Sequence, residues 1–303
     1  AGATVLASRA SATRDEVEFT AAVEETQQRL ASRLETYVSL LRATQGLFMA
    51  SEVVNASDFT AFIGTLDLQQ HFPGIQGIAW CQQVSAASKD TLVAEVRALG
   101  RPSFSVWPET PARDVYVPII YLEPQDSRNL VAIGFDIASE PIRREAIERA
   151  RDSGEAAASG PVVLMQEIDA EKQAGFVIVH PVYRHGRPLR SVDERRAALA
   201  GYVTAVFRMG DLVASIVKAA PQQIEFIVLD GPRAQATEFY RTPGMATARP
   251  TQMQRHFPIY GREWTIRYAP RKDGAPNRLV LGTLLCGLAA SALLAIGVGT
   301  LAR

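Results

Sequence analysis

Apolar residues recur in steps of three and four from Phe19 through Val23, Leu30, Leu34, Tyr37 and Leu41 to Phe48, with Thr26 and Thr44 filling two positions of the stripe. Glu24, Glu25, Gln27, Gln28, Arg33 and Glu35 occupy the positions between, and neither Pro nor Gly intervenes until Gly46. This pattern predicts one helix over residues 11–50, nearly ~40 residues and about 58 Å long. So long a heptad-like stripe pairs with a second copy of itself, packs along its own domain, or does both at different levels.

Shorter elements follow. A helix is expected at Ala56–Leu66, with Asn55 or Ser57 as its cap. Ile75–Trp80 reads as a strand, and Ala87–Leu99 as a helix stopped by Gly100. Ser103–Trp107, Val115–Leu122 and Leu130–Asp136 read as further strands punctuated by prolines. Pro118, inside one of these runs, suggests an edge strand or a bulge. Glu140–Arg151 has helical spacing, through Ile142, Ala146, Ile147 and Ala150, and ends at Gly154. The second half repeats this grammar more loosely. Its strands are expected at Val162–Glu167, Gly175–Tyr183, Ala198–Phe207, Ile224–Asp230 and Phe257–Ala269, with a helix at Met209–Ala219. The strands cluster as antiparallel meanders, not as regular βαβ alternation. The reading is two α+β domains behind one long helix, with the boundary near 155–165 or 185–195.

The last stretch differs. Leu279–Ala302 contains no charged residue, and Arg278 and Arg303 flank it. As a helix it would extend about 36 Å, enough to cross a hydrocarbon core of about 30 Å with some tilt. Only Thr283, Ser291 and Thr300 offer a polar face, so a transmembrane helix is expected over 279–302; the alternative is a buried hydrophobic hairpin. Arg271, Lys272 and Arg278 precede the span and only Arg303 follows, too few residues on that flank to set an orientation. At the other end, residues 1–10 read either as the tail of an upstream transmembrane helix or as an ordinary terminus.

Composition narrows the function by exclusion. The chain carries 32 basic and 32 acidic side chains, so no net field draws it to nucleic acid. Cys81 and Cys286 cannot pair if Cys286 lies in a bilayer, and they say nothing of the compartment. The phosphate-binding, zinc-protease and nucleophile-elbow motifs are all missing. His180 and His185 have poor spacing for a metal pair, and Glu123 and Asp136 have no nucleophile or oriented base beside them. Trp80, Trp107 and Trp264 read as core. No catalytic residue, metal site or cofactor is expected.

Several segments in order resemble the CHASE domain, the extracytoplasmic sensor of bacterial and plant receptor kinases and cyclases. They begin with Phe72-Pro73-Gly74-Ile75, Ala79-Trp80, Tyr116-Val117-Pro118, Tyr121-Leu122-Glu123-Pro124 and Asn129. They continue with Gly134-Phe135-Asp136, Pro141-Ile142-Arg143-Arg144-Glu145-Ala146, Ala150-Arg151-Asp152-Ser153-Gly154 and Val163-Leu164-Met165-Gln166. His180-Pro181-Val182-Tyr183, Leu199-Ala200-Gly201-Tyr202-Val203 and Phe207-Arg208 close the series.

The resemblance implies an α+β fold: a long N-terminal stalk helix (11–50), two tandem PAS-like domains (51–185, membrane-distal and ligand-sensing; 186–276, membrane-proximal) and the C-terminal transmembrane helix. It implies a small-molecule sensor anchored in the inner or plasma membrane, its globular part periplasmic or extracellular. It further implies homodimerisation through the stalk and a cytoplasmic transmitter, such as a histidine kinase or diguanylate cyclase, outside this sequence. The competing reading is a constitutive dimerisation or protein-interaction module. Carried over position by position, the family's pocket suggests Phe135, Ile137, Arg143, Ser159, Val163, Met165 and Ile178 as ligand-binding residues. Plant receptors of this family bind adenine-type cytokinins and carry an acidic side chain at the position matching Arg143. A guanidinium offers donors and no acceptor, so Arg143 disfavours an N6-substituted adenine. If it points inward it favours a carboxylate, phosphate or carbonyl-rich ligand; otherwise Arg143 and Arg144 cap the helix surface.

Overall fold

The N-terminal stripe forms a single helix, α1 (Gly2–Ala50), in the computed structural model, which describes residues 2–170, 172–217, 224–231, 236–245 and 250–271. It starts earlier than the stripe predicts, because nothing between Gly2 and Gly46 breaks it. Helices α2 (Ala56–Leu66) and α3 (Leu68–His71), strands β1 (Ile75–Gln82) and β2 (Val84–Ser85), and helix α4 (Lys89–Ala98) follow. Then come β3 (Val115–Tyr116), β4 (Ile119–Glu123), α5 (Ser127–Leu130), α6 (Pro141–Ser153), β5 (Ala157–Ala158) and β6 (Val162–Val163). Strand β7 (Ala174–Tyr183), helix α7 (Val192–Ala198), strand β8 (Leu199–Arg208) and helix α8 (Met209–Val217) complete the first sheet and its cover. The last strands are β9 (Ile224–Asp230), β10 (Thr237–Arg241), β11 (Met253–Ile259) and β12 (Arg262–Pro270).

The fold is α+β. Among the described residues the strands form a six-stranded sheet ordered β4-β1-β8-β7-β5, with β6 also on β7, a four-stranded sheet ordered β10-β9-β12-β11, and a β2-β3 pair. All of these ladders are antiparallel. β8 pairs with both β1 and β7, so the first sheet continues past residue 185, where the domain boundary was expected. The run 130–136 is not a strand. Gly134 adopts φ 80° there, and only Phe135 and Asp136 form isolated bridges, to Trp107 and Pro118. The single strand expected at Phe257–Ala269 is a hairpin, β11 and β12, turning at Tyr260 (φ 39°) and Gly261 (φ 82°).

Both faces of the first sheet are covered. Ile78, Trp80, Ile178, Val203 and Phe207 face α1, meeting Leu34, Tyr37, Val38 and Leu41 in one buried cluster. The alternate residues Ala79, Val177, Val179, Tyr202 and Val206 face α6 in a second cluster. Strands buried on both faces read as continuous apolar runs, as β7 and β8 do. The α1 side also takes in the second sheet. Phe176 of β7 meets Trp264 of β12 edge-on at 5.2 Å between ring centroids, and Tyr260 Oη donates to the Leu34 carbonyl of α1 at 3.3 Å. Each large side chain buried this way contributes about 1.5–3 kcal/mol. Among the described residues no helix is long and apolar enough to cross a membrane, and the span expected at 279–302 lies outside them.

Candidate functional site

Helix α6 brings the central residue into place. Glu140 caps it, accepting from the Ile142 and Arg143 amides at 3.1 and 2.9 Å, and Pro141 occupies its first turn. Gly154 closes it with φ 83°. The buried face is Arg143, Ala146, Ile147 and Ala150, the spacing of one helical stripe, so Arg143 stands where an apolar residue is the norm. It is only 4% exposed. Its Nη2 donates to the Val163 carbonyl at 2.9 Å, its Nη1 lies 3.4 Å from Glu140 Oε2, and its guanidinium sits 5.3 Å from the Phe135 ring centroid. Burial lowers its pKa from the ordinary arginine value, and Glu140 pulls the other way. Arg144, the next residue, instead turns back on the backbone, donating to the Ala138 carbonyl at 2.7 Å.

Beside the guanidinium lies a cavity of about 20 Å³. Of the expected site residues, Phe135, Ile137, Arg143 and Met165 line it together. Val163 contributes its carbonyl to Arg143 while its side chain is 55% exposed. Ser159 is buried within the strand edge, its hydroxyl bonded to the Gly160 carbonyl and the Val177 amide. Ile178 is on the far face of the sheet, packed toward α1. Its neighbour Val177 faces the cavity instead, because successive strand residues alternate sides. Ile119, Ala132, Leu164, Gln166, Thr204 and Val206 also line the space and were not among the residues expected. Alternation along β8 offered the signal for Thr204 and Val206, once one face of that strand is known to lie under α6.

The segment that carries Phe135 and Ile137 is held by its neighbours. Asp136 is fully buried and accepts from the Val117 amide (2.7 Å), the Ala138 amide (3.0 Å) and Arg113 Nε (2.9 Å). Gly134 passes so close to the Ser105 carbonyl that a Cβ there would overlap it. Glu123 is engaged separately, by the Thr60 hydroxyl and the Gln125 amide, so the two carboxylates each have a structural partner set. His180 is buried and His185 is exposed. Among the described residues no group of three or more His, Cys, Asp or Glu could hold a metal ion. Cys81 is a free buried thiol whose pKa burial pushes up to about 12. Two wider clefts are surface features. One of about 550 Å³ runs between α1 (Glu25, Arg29, Arg33) and α8, and one of about 370 Å³ lies at the sheet end beside Glu52, Gln83 and His185.

The site falls inside the region that comparison identifies. A "probable histidine kinase 4" of Oryza sativa subsp. japonica is 31% identical over 161 residues, covering 52% of this chain and 15% of that protein. The "hybrid signal transduction histidine kinase A" of Dictyostelium discoideum is 26% identical over 163 residues, 50% of this chain and 8% of that protein. A "probable histidine kinase 6" of the same rice is 32% identical over 119 residues, 39% of this chain and 12% of that protein. The chain thus spans between 8% and 15% of the length of these curated relatives. A family profile for the CHASE domain matches residues 52–240, from the end of α1 through β10 and including the whole cavity. The chain belongs to the CHASE domain family.

Proposed function

We propose that this chain is the extracytoplasmic sensor region of a membrane-spanning signalling receptor, and that a small molecule binds in the cavity beside Arg143. The observation that carries the reading is a buried guanidinium lining a small, largely apolar cavity within the family-matched region. Ligand sites combine apolar walls with a few directed polar groups in this way. On this reading the two sheets are the cores of two PAS-like domains, distal and proximal, with β8 in the distal one. Residues 279–302 cross the inner or plasma membrane, α1 is the stalk through which two copies pair, and the globular part is periplasmic or extracellular. The chain itself is not catalytic. The relatives' printed names support a histidine kinase as transmitter beyond the span, with a cyclase as the alternative output.

One observation favours a second reading. With about 20 Å³ left over, the cavity is nearly filled by its own side chains, as a constitutive dimerisation or protein-interaction module would have it. A thermal-shift screen of the full chain in lipid nanodiscs separates the two. The panel holds short carboxylates, amino acids, phosphorylated metabolites, purines and cytokinin-type adenines. A ligand at one hundred times its dissociation constant adds about 2.7 kcal/mol of stability. A saturable shift with any class supports the sensor, and silence from the whole panel leaves the interaction module ahead.

A further inference from the structure

We propose that the cavity takes a small monocarboxylate, its head held by the Arg143 guanidinium and the Gln166 carboxamide and its short apolar body against β4, β7 and β8. The proposal rests on the sensor reading above and names its ligand class.

Three buried polar side chains border the cavity with hydrogen-bonding capacity unspent. Arg143 has five N–H donors, and among the described residues it makes two hydrogen bonds, the one to Glu140 long at 3.4 Å. Gln166 is 3% exposed, and among the described residues its carboxamide has no hydrogen-bond partner; only its main-chain carbonyl is used, accepting from Arg128 at 3.3 Å and from the Ile168 amide at 3.0 Å. Thr204 is 3% exposed, and among the described residues its hydroxyl meets only the Cys81 sulfur, at 3.8 Å. A guanidinium, a carboxamide and a hydroxyl with spare hydrogen-bonding capacity around one space point to an occupant that uses it.

The donors decide its chemistry. A carboxylate accepts up to about four hydrogen bonds and donates none, which matches a guanidinium, an amide NH₂ and a hydroxyl. An amine would set donor against donor at Arg143. A phosphate dianion would bring a second charge into a space walled by Ile119, Ala132, Val177 and Val206, with no second buried cation on its lining. Glu140 does not use up the arginine's charge. Its carboxylate is closer to the α6 amides, at 2.9 and 3.1 Å, than to the guanidinium, and the helix N-terminus itself favours that negative charge. Size points the same way. The free space is about 20 Å³, room for about one water, so any organic ligand needs the walls to part, and a short acid needs less parting than a purine.

The test titrates the full chain with propionate, propionamide, methylphosphonate and isopentenyladenine at constant ionic strength, read by thermal shift and calorimetry. Propionate is expected to bind saturably, with propionamide about tenfold or more weaker, since one charge-assisted hydrogen bond is worth that factor, and methylphosphonate also weaker, since its dianion brings a second charge into the apolar space. Arg143→Gln should weaken propionate by about tenfold or more. Because that variant also loses the tie to Val163, Gln166→Leu serves as the second. It should weaken propionate while leaving the ligand-free melting temperature no lower, because among the described residues the carboxamide makes no hydrogen bond for the change to remove. Propionamide binding as well as propionate, or propionate affinity unchanged in both variants, overturns the carboxylate. Isopentenyladenine binding where propionate does not overturns it and leaves the sensor reading standing. Silence from all four probes overturns it and counts against the sensor reading too.

Discussion

His180 lies in β7 with 4% of its surface exposed, its Nδ1 3.4 Å from the Pro181 carbonyl oxygen. Burial lowers its pKa below the ordinary histidine value; the Pro181 carbonyl and Glu155 oppose the shift, and Arg42 adds to it. The unfolded chain therefore takes up a proton first as pH falls. The stability that His180 contributes as a neutral ring is complete above about pH 6.5 and declines below it. Urea unfolding of the full chain between pH 7.5 and pH 5 is expected to show that decline, and His180→Leu should flatten it. An equal slope in the variant would assign the pH dependence elsewhere. Arg143 shows how much of the site was legible at this scale. The apolar stripe of α6 was read through Ile142, Ala146, Ile147 and Ala150, yet Ile142 is 39% exposed and Arg143 takes the inward place. The helical phase set by Ala146, Ile147 and Ala150 carried that information; residue type pointed the other way. Val177 and Ile178 posed a harder problem, because both faces of β7 are apolar and the alternation leaves no trace in residue type.

At the scale of elements, periodicity worked best where one face alone is buried. The α1 stripe named Phe19, Val23, Leu30, Leu34, Tyr37, Leu41 and Phe48; the first six are buried and Phe48 is partly buried against the same cluster. The hairpin of β11 and β12 was hidden because its turn, Tyr260-Gly261, is not one of the Asn-Gly or Asp-Gly pairs that mark a two-residue turn in a sequence. The run 130–136 has strand composition, but Gly134 and the Asp136 cap on Ala138 hold it as a turn. Packing makes α1 part of the folded unit, because its stripe and the first sheet share one cluster. Leu41 is fully buried, so Leu41→Ala should lower the unfolding free energy by about 2–5 kcal/mol. Ser39, exposed on the same helix, should tolerate alanine within about 0.5 kcal/mol. Denaturant midpoints decide this. A loss below about 1 kcal/mol for Leu41→Ala would mean that α1 can leave the sheet without cavity formation.

Across the whole molecule, α6 touches both the cavity and the second sheet. Arg143 enters the cavity from its first turn, while Glu145 and Arg149 on the same helix reach the hairpin of β11 and β12. Arg262 of β12 holds Asp230 of β9 through two nitrogens, one at 3.0 Å, and reaches Glu145 at 3.1 Å. The Ala158 amide of β5 donates to the Tyr260 carbonyl at 3.0 Å, a direct backbone tie between the two sheets. These contacts differ in weight. The Glu145 carboxylate is 52% exposed, so its pair with Arg262 is worth at most about 1 kcal/mol. Asp230 is 5% exposed, and removing its partner strands a buried charge, a loss of about 3–5 kcal/mol. Arg262→Met should therefore destabilise the protein by about 3 kcal/mol or more, and Glu145→Gln by less than about 1. Hydrogen exchange locates the effect. Arg262→Met should speed exchange along 253–270 and in α6, while the ladder of β7 and β8, held by packing on both faces, keeps its protection. If α6 kept its protection in that variant, the helix would not be coupled to β12 through Arg262, and the ties left between the two sheets would be the Ala158–Tyr260 hydrogen bond and the Phe176–Trp264 contact.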